Sequence, residues 1–192
     1  MTARRAALLF CLLPSLATEQ STARVYVTVQ QAIDSAFPKP AKAERRTLYL
    51  DDGQARRVAE ASGAPVEARV FPYYVGERAA RVIGYAYFDT HLVRTLPETI
   101  LVLVAPDGTL RRIEILSFDE PEDYLPSTRW LQQFPGRSLQ DLGVRQGIRT
   151  LTGATLSSRA VVQAARRILA LHRLFVAPSP RPAAAGPDES RP

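Results

Sequence analysis

The feature that most constrains the fold is a succession of short segments rich in Val, Ile, Tyr and Phe in the middle of the chain. The first three lie at residues 66–75, 81–88 and 98–104. Turn residues separate them, as expected of strands joined by hairpins. Asp107-Gly108 then joins the strand ending at Val104 to a further one over 110–116, and this dipeptide is a strong β-hairpin signal. The pattern predicts an antiparallel sheet with one face exposed to water.

Helical patterns lie on both sides of these strands. Thr28 with Gln31 has the form of a capping box, and a second helix over 52–61 has Gly63 placed to end it. Thr47–Leu50 reads as a short extended piece between them. Ser127 is placed to cap a short helix that carries Trp130, and the last helix runs from about Leu156 to Phe175. Helices around hairpin-linked strands predict an α+β fold with an antiparallel sheet flanked by helices.

The last of these helices has an apolar stripe on one side and arginines on the other. The apolar residues recur at helical spacing and are Val161, Ala164, Ala165, Ile168, Leu171 and Phe175. The arginines at the other side are Arg159, Arg166, Arg167 and Arg173. This arrangement predicts a basic amphipathic helix.

The two ends of the chain differ from the domain between them. Residues 1–23 have a basic start, an apolar stretch broken by Pro14 and small residues near Ala17 and Ala23, which predicts an export signal, either cleaved or kept as an anchor. The stretch over 177–192 is rich in Pro and Ala without apolar periodicity, which predicts a disordered tail. We therefore expect one folded domain over 24–176. The single cysteine, Cys11, lies in the leader and excludes a disulfide framework.

The net charge of +6 comes almost wholly from arginine, since Lys39 and Lys42 are the only lysines. The arginines are spread along the chain, and no run of five basic residues occurs. The strands also lack the interleaved aromatic and basic residues of an RNA-binding sheet. The sequence therefore predicts an arginine-rich solvated surface and no nucleic-acid partner.

The common catalytic motifs are absent from the sequence. There is no GxSxG elbow, P-loop, HExxH or dinucleotide fingerprint. The sequence has only two histidines, too few to favour a His-based catalytic triad or metal cluster. We expect no catalytic residue and no metal. His172 falls late in a helix, where a cation favours the helix dipole. His91 follows a strand, and either a structural hydrogen bond or a cofactor contact fits its position.

One segment, Thr152-Gly153-Ala154-Thr155-Leu156-Ser157-Ser158, stands at a junction between a loop and the last helix. Its hydroxyls can cap the helix by accepting hydrogen bonds from the first free N–H groups. The same N–H groups and their partial positive charge suit a phosphate, which the small Gly153 and Ala154 would let approach the backbone. Spacing alone favours the helix cap over the phosphate site.

Thr152-Gly153-Ala154-Thr155 resembles the [S/T]-G-A-T flavinylation motif of FMN-binding domains. Such domains occur in the peripheral subunits of Na⁺-translocating NADH:quinone reductase and of the Rnf complex, and in related exported proteins. The similarity covers most of residues 25–172. Besides the motif, the segments that carry it are 28–38, 85–90, 97–99, 121–126 and 130–134.

The resemblance implies that FMN is the cofactor and is joined through its phosphate to the Thr155 hydroxyl. A separate Mg²⁺-dependent transferase with FAD as donor would attach it, and Thr152, Gly153 and Ala154 would form the recognition motif and the phosphate cradle. Arg149 or Arg159 could offset the phosphate charge. Many members carry an acidic residue shortly before the motif, where this chain has Arg149-Thr150-Leu151.

The resemblance also implies a slot for the isoalloxazine ring between the sheet, the loop before the short helix and the attachment helix. The candidates for its borders are the loop 120–125, Trp130 and the segment 90–98. The residues expected to contact the cofactor there, together with one on the attachment helix, are His91, Glu120, Tyr124, Leu125, Trp130 and Ser157. Trp130 could equally be plain core.

The implied function is that of a periplasmic or outer-face electron carrier, an electron-transfer flavoprotein rather than a substrate-converting enzyme. Its partners would be the transferase and membrane-bound electron-transfer subunits. Two alternatives stay open: a flavin-bound redox sensor, and a cofactor-free exported binding domain.

Overall fold

The computed structural model describes residues 24–142 and 147–177. The predicted export signal, and the predicted tail beyond Ala177, lie outside the described residues. The helices are α1 (Val29–Ala36), α2 (Asp52–Ser62), α3 (Thr128–Leu131) and α4 (Thr155–Leu171). The strands are β1 (Lys42–Tyr49), β2 (Val70–Arg78), β3 (Arg81–Leu92), β4 (Pro97–Val104) and β5 (Leu110–Phe118). Short 3₁₀ turns lie at Glu122–Tyr124 and Gln140–Leu142, and a π turn at His172–Val176 follows α4.

The five strands form one antiparallel sheet in the order β1-β2-β3-β4-β5. This confirms the predicted α+β class, and the hairpin predicted at Asp107-Gly108 joins β4 to β5. The strand predicted at 47–50 is longer, because β1 pairs with β2 from Lys42 onward. Its first residues are polar and exposed on an edge strand, so they carry no apolar alternation from which a strand could be predicted.

Both faces of the sheet are covered, so the expectation of a wet face was wrong. α2 and α4 pack on one face, where Val102, Val161 and Ile168 are buried in the larger core. α1 packs on the other face, with Ile33 and Phe37 against a smaller core. The Phe37 ring lies over Gly76, where an added Cβ would meet it at 2.1 Å. A residue without a side chain is therefore required at that position.

The helix caps follow the local sequence closely. Thr28 and Gln31 form the predicted capping box at α1. Gly63 ends α2 in the left-handed region with φ of 64°. The Ser127 side chain accepts a hydrogen bond from the Trp130 N–H at the start of α3. These features depend on neighbours within a few positions, which explains why they could be predicted.

The predicted basic face of α4 is wrong for two of its four arginines. Arg159 and Arg173 are exposed. Arg166 instead donates to the carbonyl groups of Ser62 and Leu142, and Arg167 pairs with the buried Asp89 of β3. Helical periodicity cannot distinguish a solvated arginine from one that ties two elements together. Across residues 24–142 and 147–177, no helix is long and apolar enough to cross a bilayer.

Candidate functional site

The Thr152–Thr155 motif lies at the start of α4, in an extended approach that turns at Gly153. Ala154 is the N-cap residue and provides no side-chain hydrogen bond, so the hydroxyl cap that the sequence allowed is wrong. Thr155 is the first helical residue and is exposed. Its hydroxyl makes one long contact, 3.4 Å to the Leu151 carbonyl oxygen. The Thr155 hydroxyl is therefore accessible to a modifying group.

The first turn of α4 contains backbone N–H groups and a hydroxyl that lack hydrogen-bond partners among the described residues. The first hydrogen bond of the helix runs from the Ser158 N–H to the Ala154 carbonyl at 2.9 Å. In the described ranges the N–H groups of Thr155, Leu156 and Ser157 have no acceptor. Ser157 is 1% exposed, and its hydroxyl has no partner there either. Unpaired donors at a helix start favour an anion.

A cavity of about 140 Å³ lies against this turn. Arg94 and Tyr124 also line it, and the Arg94 guanidinium lies 5.1 Å from the Tyr124 ring centroid. Gly153 has φ of 87°, and an added Cβ there would meet nothing within 4 Å, so the backbone is open on this side. Pockets that enclose whole drug-sized ligands are larger, about 300–1,000 Å³. This cavity suits a phosphate group and not a complete flavin.

Glu120, which the sequence predicted as a ring contact, does not line this cavity but binds the backbone next to it. Its carboxylate accepts hydrogen bonds from the N–H groups of Arg94, Thr95 and Leu96 at 3.2, 2.8 and 3.0 Å. These backbone bonds, that of Thr95 first, lower the pKa of Glu120. Glu120 therefore fixes the loop from which Arg94 projects.

Trp130 acts on the segment that leads into the motif. It is 6% exposed, packs its ring against Phe134 and donates from its indole N–H to the Arg149 carbonyl. The Arg149 N–H in turn donates to the Gln133 side chain at 3.0 Å. α3 thus holds the backbone at Arg149, although Trp130 itself does not line the cavity at the motif.

The structure brings together only part of the predicted site. Tyr124, Gly153, Ala154, Thr155 and Ser157 line one cavity, and Glu120 supports it. Thr152 is exposed just before it. Leu125 lines a different cavity of about 590 Å³ beside β5 and α3. Arg94 lies in the segment 90–98 that was expected to border the ring slot, but it was not named as a site residue, because nothing in its local sequence distinguishes it.

His91 lies away from the motif, in a chain of buried charged groups. Its ring nitrogens contact Asp89 at 2.9 Å and Glu98 at 3.0 Å. Burial opposes the charge on His91, but the bonds to these two carboxylates outweigh it and raise the pKa to about 9. The structural hydrogen bond expected for His91 is therefore present. His91 also lines a cavity of about 340 Å³ alongside the middle of α4.

His172 does not act as a cation at the end of the last helix, so that prediction was wrong. The helix continues into a π turn, and His172 is 1% exposed. Burial lowers its pKa to about 4, and its Nδ1 is 2.8 Å from the Tyr87 hydroxyl. His172 is therefore a neutral member of the core.

A comparison with protein families finds one that matches: residues 96–170 match the FMN-binding domain. The matched segment begins within the Arg94–Leu96 turn and includes β4, β5, α3, the motif and nearly all of α4. A comparison with curated proteins finds no match. The unpaired first-turn N–H groups and the orphaned Ser157 hydroxyl fit the phosphate of this cofactor. The fold, the site and the match of residues 96–170 to an FMN-binding domain together support FMN as the cofactor.

Proposed function

We propose that this chain is an extracytoplasmic flavoprotein that carries FMN on Thr155 and relays electrons between membrane-bound and periplasmic partners. The observation that carries the proposal is the exposed Thr155 hydroxyl at an uncapped helix start, facing a cavity with phosphate-sized volume. The family match supports the identity of the cofactor. The covalent bond, the partners and the location go beyond what the family match supports.

The attachment is a transfer of the FMN phosphoryl group from FAD to Thr155. A bond forms between the Thr155 oxygen and the phosphorus on the FMN side of FAD. The bond from that phosphorus to the bridging oxygen breaks, AMP leaves with the bridging oxygen, and the threonine proton passes to solvent or to a base of the transferase. The resulting diester keeps one negative charge, which the helix start favours.

FMN would supply the electron transfer itself, and the chain would supply position and environment. The residues placed to hold the phosphate are Gly153, Thr155 and Ser157, together with Arg94. Trp130 and Glu120 hold the two backbone segments that bring these groups together. A covalent bond would keep the flavin with the protein outside the cytoplasm, where a dissociated cofactor is diluted.

The location and partners rest on sequence pattern. A basic start followed by an apolar stretch and small residues is typical of an export signal, which would carry the domain to the periplasm or the outer membrane face. The partners we propose are a Mg²⁺-dependent FAD:protein FMN transferase and membrane electron-transfer subunits. Cell fractionation of the tagged chain tests the location, and cytoplasmic retention would contradict it.

The covalent bond is tested by co-expressing the full chain with an active transferase and measuring intact mass. We expect the mass to rise by one FMN phosphoester and denatured protein to keep flavin fluorescence. Thr155→Ala should abolish both signals, whereas Thr150→Ala, which removes a nearby exposed hydroxyl, should keep them. Unmodified wild-type protein beside a modified control substrate would overturn the proposal and favour a cofactor-free domain.

A further inference from the structure

We propose that Arg94 binds the phosphate of a flavin nucleotide, so that the chain recognises the nucleotide before any bond to Thr155 forms. The inference rests on the proposed function for the identity of the ligand. Its basis is the position of Arg94, which lines the same cavity as Thr155 and Ser157 of the first turn of α4. The positive charge that balances the phosphate would then come from a residue outside the Thr152–Thr155 motif.

The Arg94 guanidinium is available for an anion. Within the part of the chain that the structure describes, it makes no ion pair and no hydrogen bond, and its contact is with the face of the Tyr124 ring. The nearby Glu120 carboxylate accepts hydrogen bonds from the three backbone N–H groups of residues 94–96 through its Oε1, and the Arg94 charge adds to the lowering of its pKa although the two side chains form no ion pair among the described residues. A guanidinium held over an aromatic ring loses less freedom when it binds a phosphate.

The start of α4 offers further hydrogen-bond donors for the same phosphate. Ser157 has a buried hydroxyl without a partner, and the N–H groups at the start of α4 lack acceptors among the described residues. A phosphate in this cavity would receive hydrogen bonds from neutral donors and from a cation. Hydrogen bonds from a charged donor to an ionised acceptor are the strong ones.

The two arginines that the sequence pointed to do not reach this cavity. Arg149 and Arg159 are exposed, and neither lines it. The Arg149 backbone is held by α3, in the segment before the motif. Arg159 therefore serves as a control, since it is an exposed arginine near the start of the same helix and its replacement changes the net charge equally.

The test uses the full chain produced without the transferase, titrated with FMN, riboflavin and inorganic phosphate at low salt. We expect FMN to bind about tenfold or more tightly than riboflavin, because riboflavin lacks the charged group. Inorganic phosphate should compete with FMN and leave riboflavin binding unchanged. Circular dichroism of each variant checks that the fold is kept.

Arg94→Gln should reduce the preference for FMN towards equality, and Arg94→Glu should reverse it. Arg94→Lys should keep part of it, and Arg159→Gln should keep all of it. Equal binding of FMN and riboflavin by the wild type, no binding of FMN, or an undiminished preference in Arg94→Gln would each overturn the proposal. Because the titration uses unmodified chain, its outcome is independent of whether Thr155 accepts FMN covalently.

Discussion

Arg167 of α4 donates hydrogen bonds to both carboxylate oxygens of Asp89 on β3. Its Nη2 lies 2.7 Å from Oδ1 and 2.8 Å from Oδ2, and its Nε lies 3.1 Å from Oδ2. Both side chains are largely buried, at 13% and 7% exposed. The pair ties α4 to β3 beside the cavity that His91 also lines. It therefore sets where the start of α4, and with it Thr155, stands relative to β3.

Replacing Arg167 by Ala should lower the free energy of unfolding by about 3 kcal/mol, because it removes the guanidinium bound to both oxygens of the buried Asp89 and leaves His91 as the counter-charge beside it. Urea denaturation of the chain measures this. Arg173→Ala removes an exposed arginine of the turn that follows α4 and should change stability by less than about 0.5 kcal/mol. Equal small effects of the two variants would contradict a structural role for the pair.

The charge on His91 should make the protein less stable in alkali. Its pKa is raised from 6.5 to about 9 in the folded state, so the stabilisation is fully present below pH 6.5 and is lost as the pH rises through 9. The expected loss over this range is about 3 kcal/mol. Unfolding measured from pH 6.5 to 9 should show this slope in the wild type and not in His91→Gln.

His172 should produce the opposite slope on the acid side. Its folded pKa is lowered from 6.5 to about 4, so the unfolded chain binds the proton more readily and stability falls as the pH falls from 6.5. Between pH 6.5 and 5 the contribution is about 2 kcal/mol. His172→Asn should flatten the curve in this interval by that amount, and an unchanged slope would mean that His172 is not buried as a neutral ring.

Gly153 and Gly136 form a matched pair for separating backbone strain from a role in the site. Both have positive φ, 87° and 79°, and an added Cβ at either position meets nothing within 4 Å. Replacement by Ala should cost each variant about 1 kcal/mol of stability. Only Gly153→Ala should also reduce the fraction of chain that acquires FMN, as measured by intact mass.

Trp130→Phe should weaken the support of the motif while keeping an aromatic ring against Phe134. It removes the indole N–H that the Arg149 carbonyl accepts, which should cost about 1 kcal/mol and slow the uptake of FMN. Gln132→Ala, a change at an exposed position two residues further along the chain, provides the control. Unaltered stability and uptake in Trp130→Phe would show that this tether is dispensable.

The sequence by itself determined the elements and the motif. The capping box at Thr28, the stop at Gly63, the hairpin at Asp107-Gly108 and the cap at Ser127 all depend on residues within a few positions, so local patterns were enough to find them. The small residues before Thr155 likewise indicated a place where a phosphate could approach the start of a helix.

The tertiary structure alone decided which distant side chains share a surface. Arg94 and Ser157 line one cavity, Glu120 holds the Arg94 turn, Trp130 holds Arg149, and His172 is neutral rather than charged. None of these relations has a sequence signal, because each joins residues far apart in the chain through packing. Burial and pairing, which set the charge on a histidine and the availability of an arginine, exist only once the chain has folded.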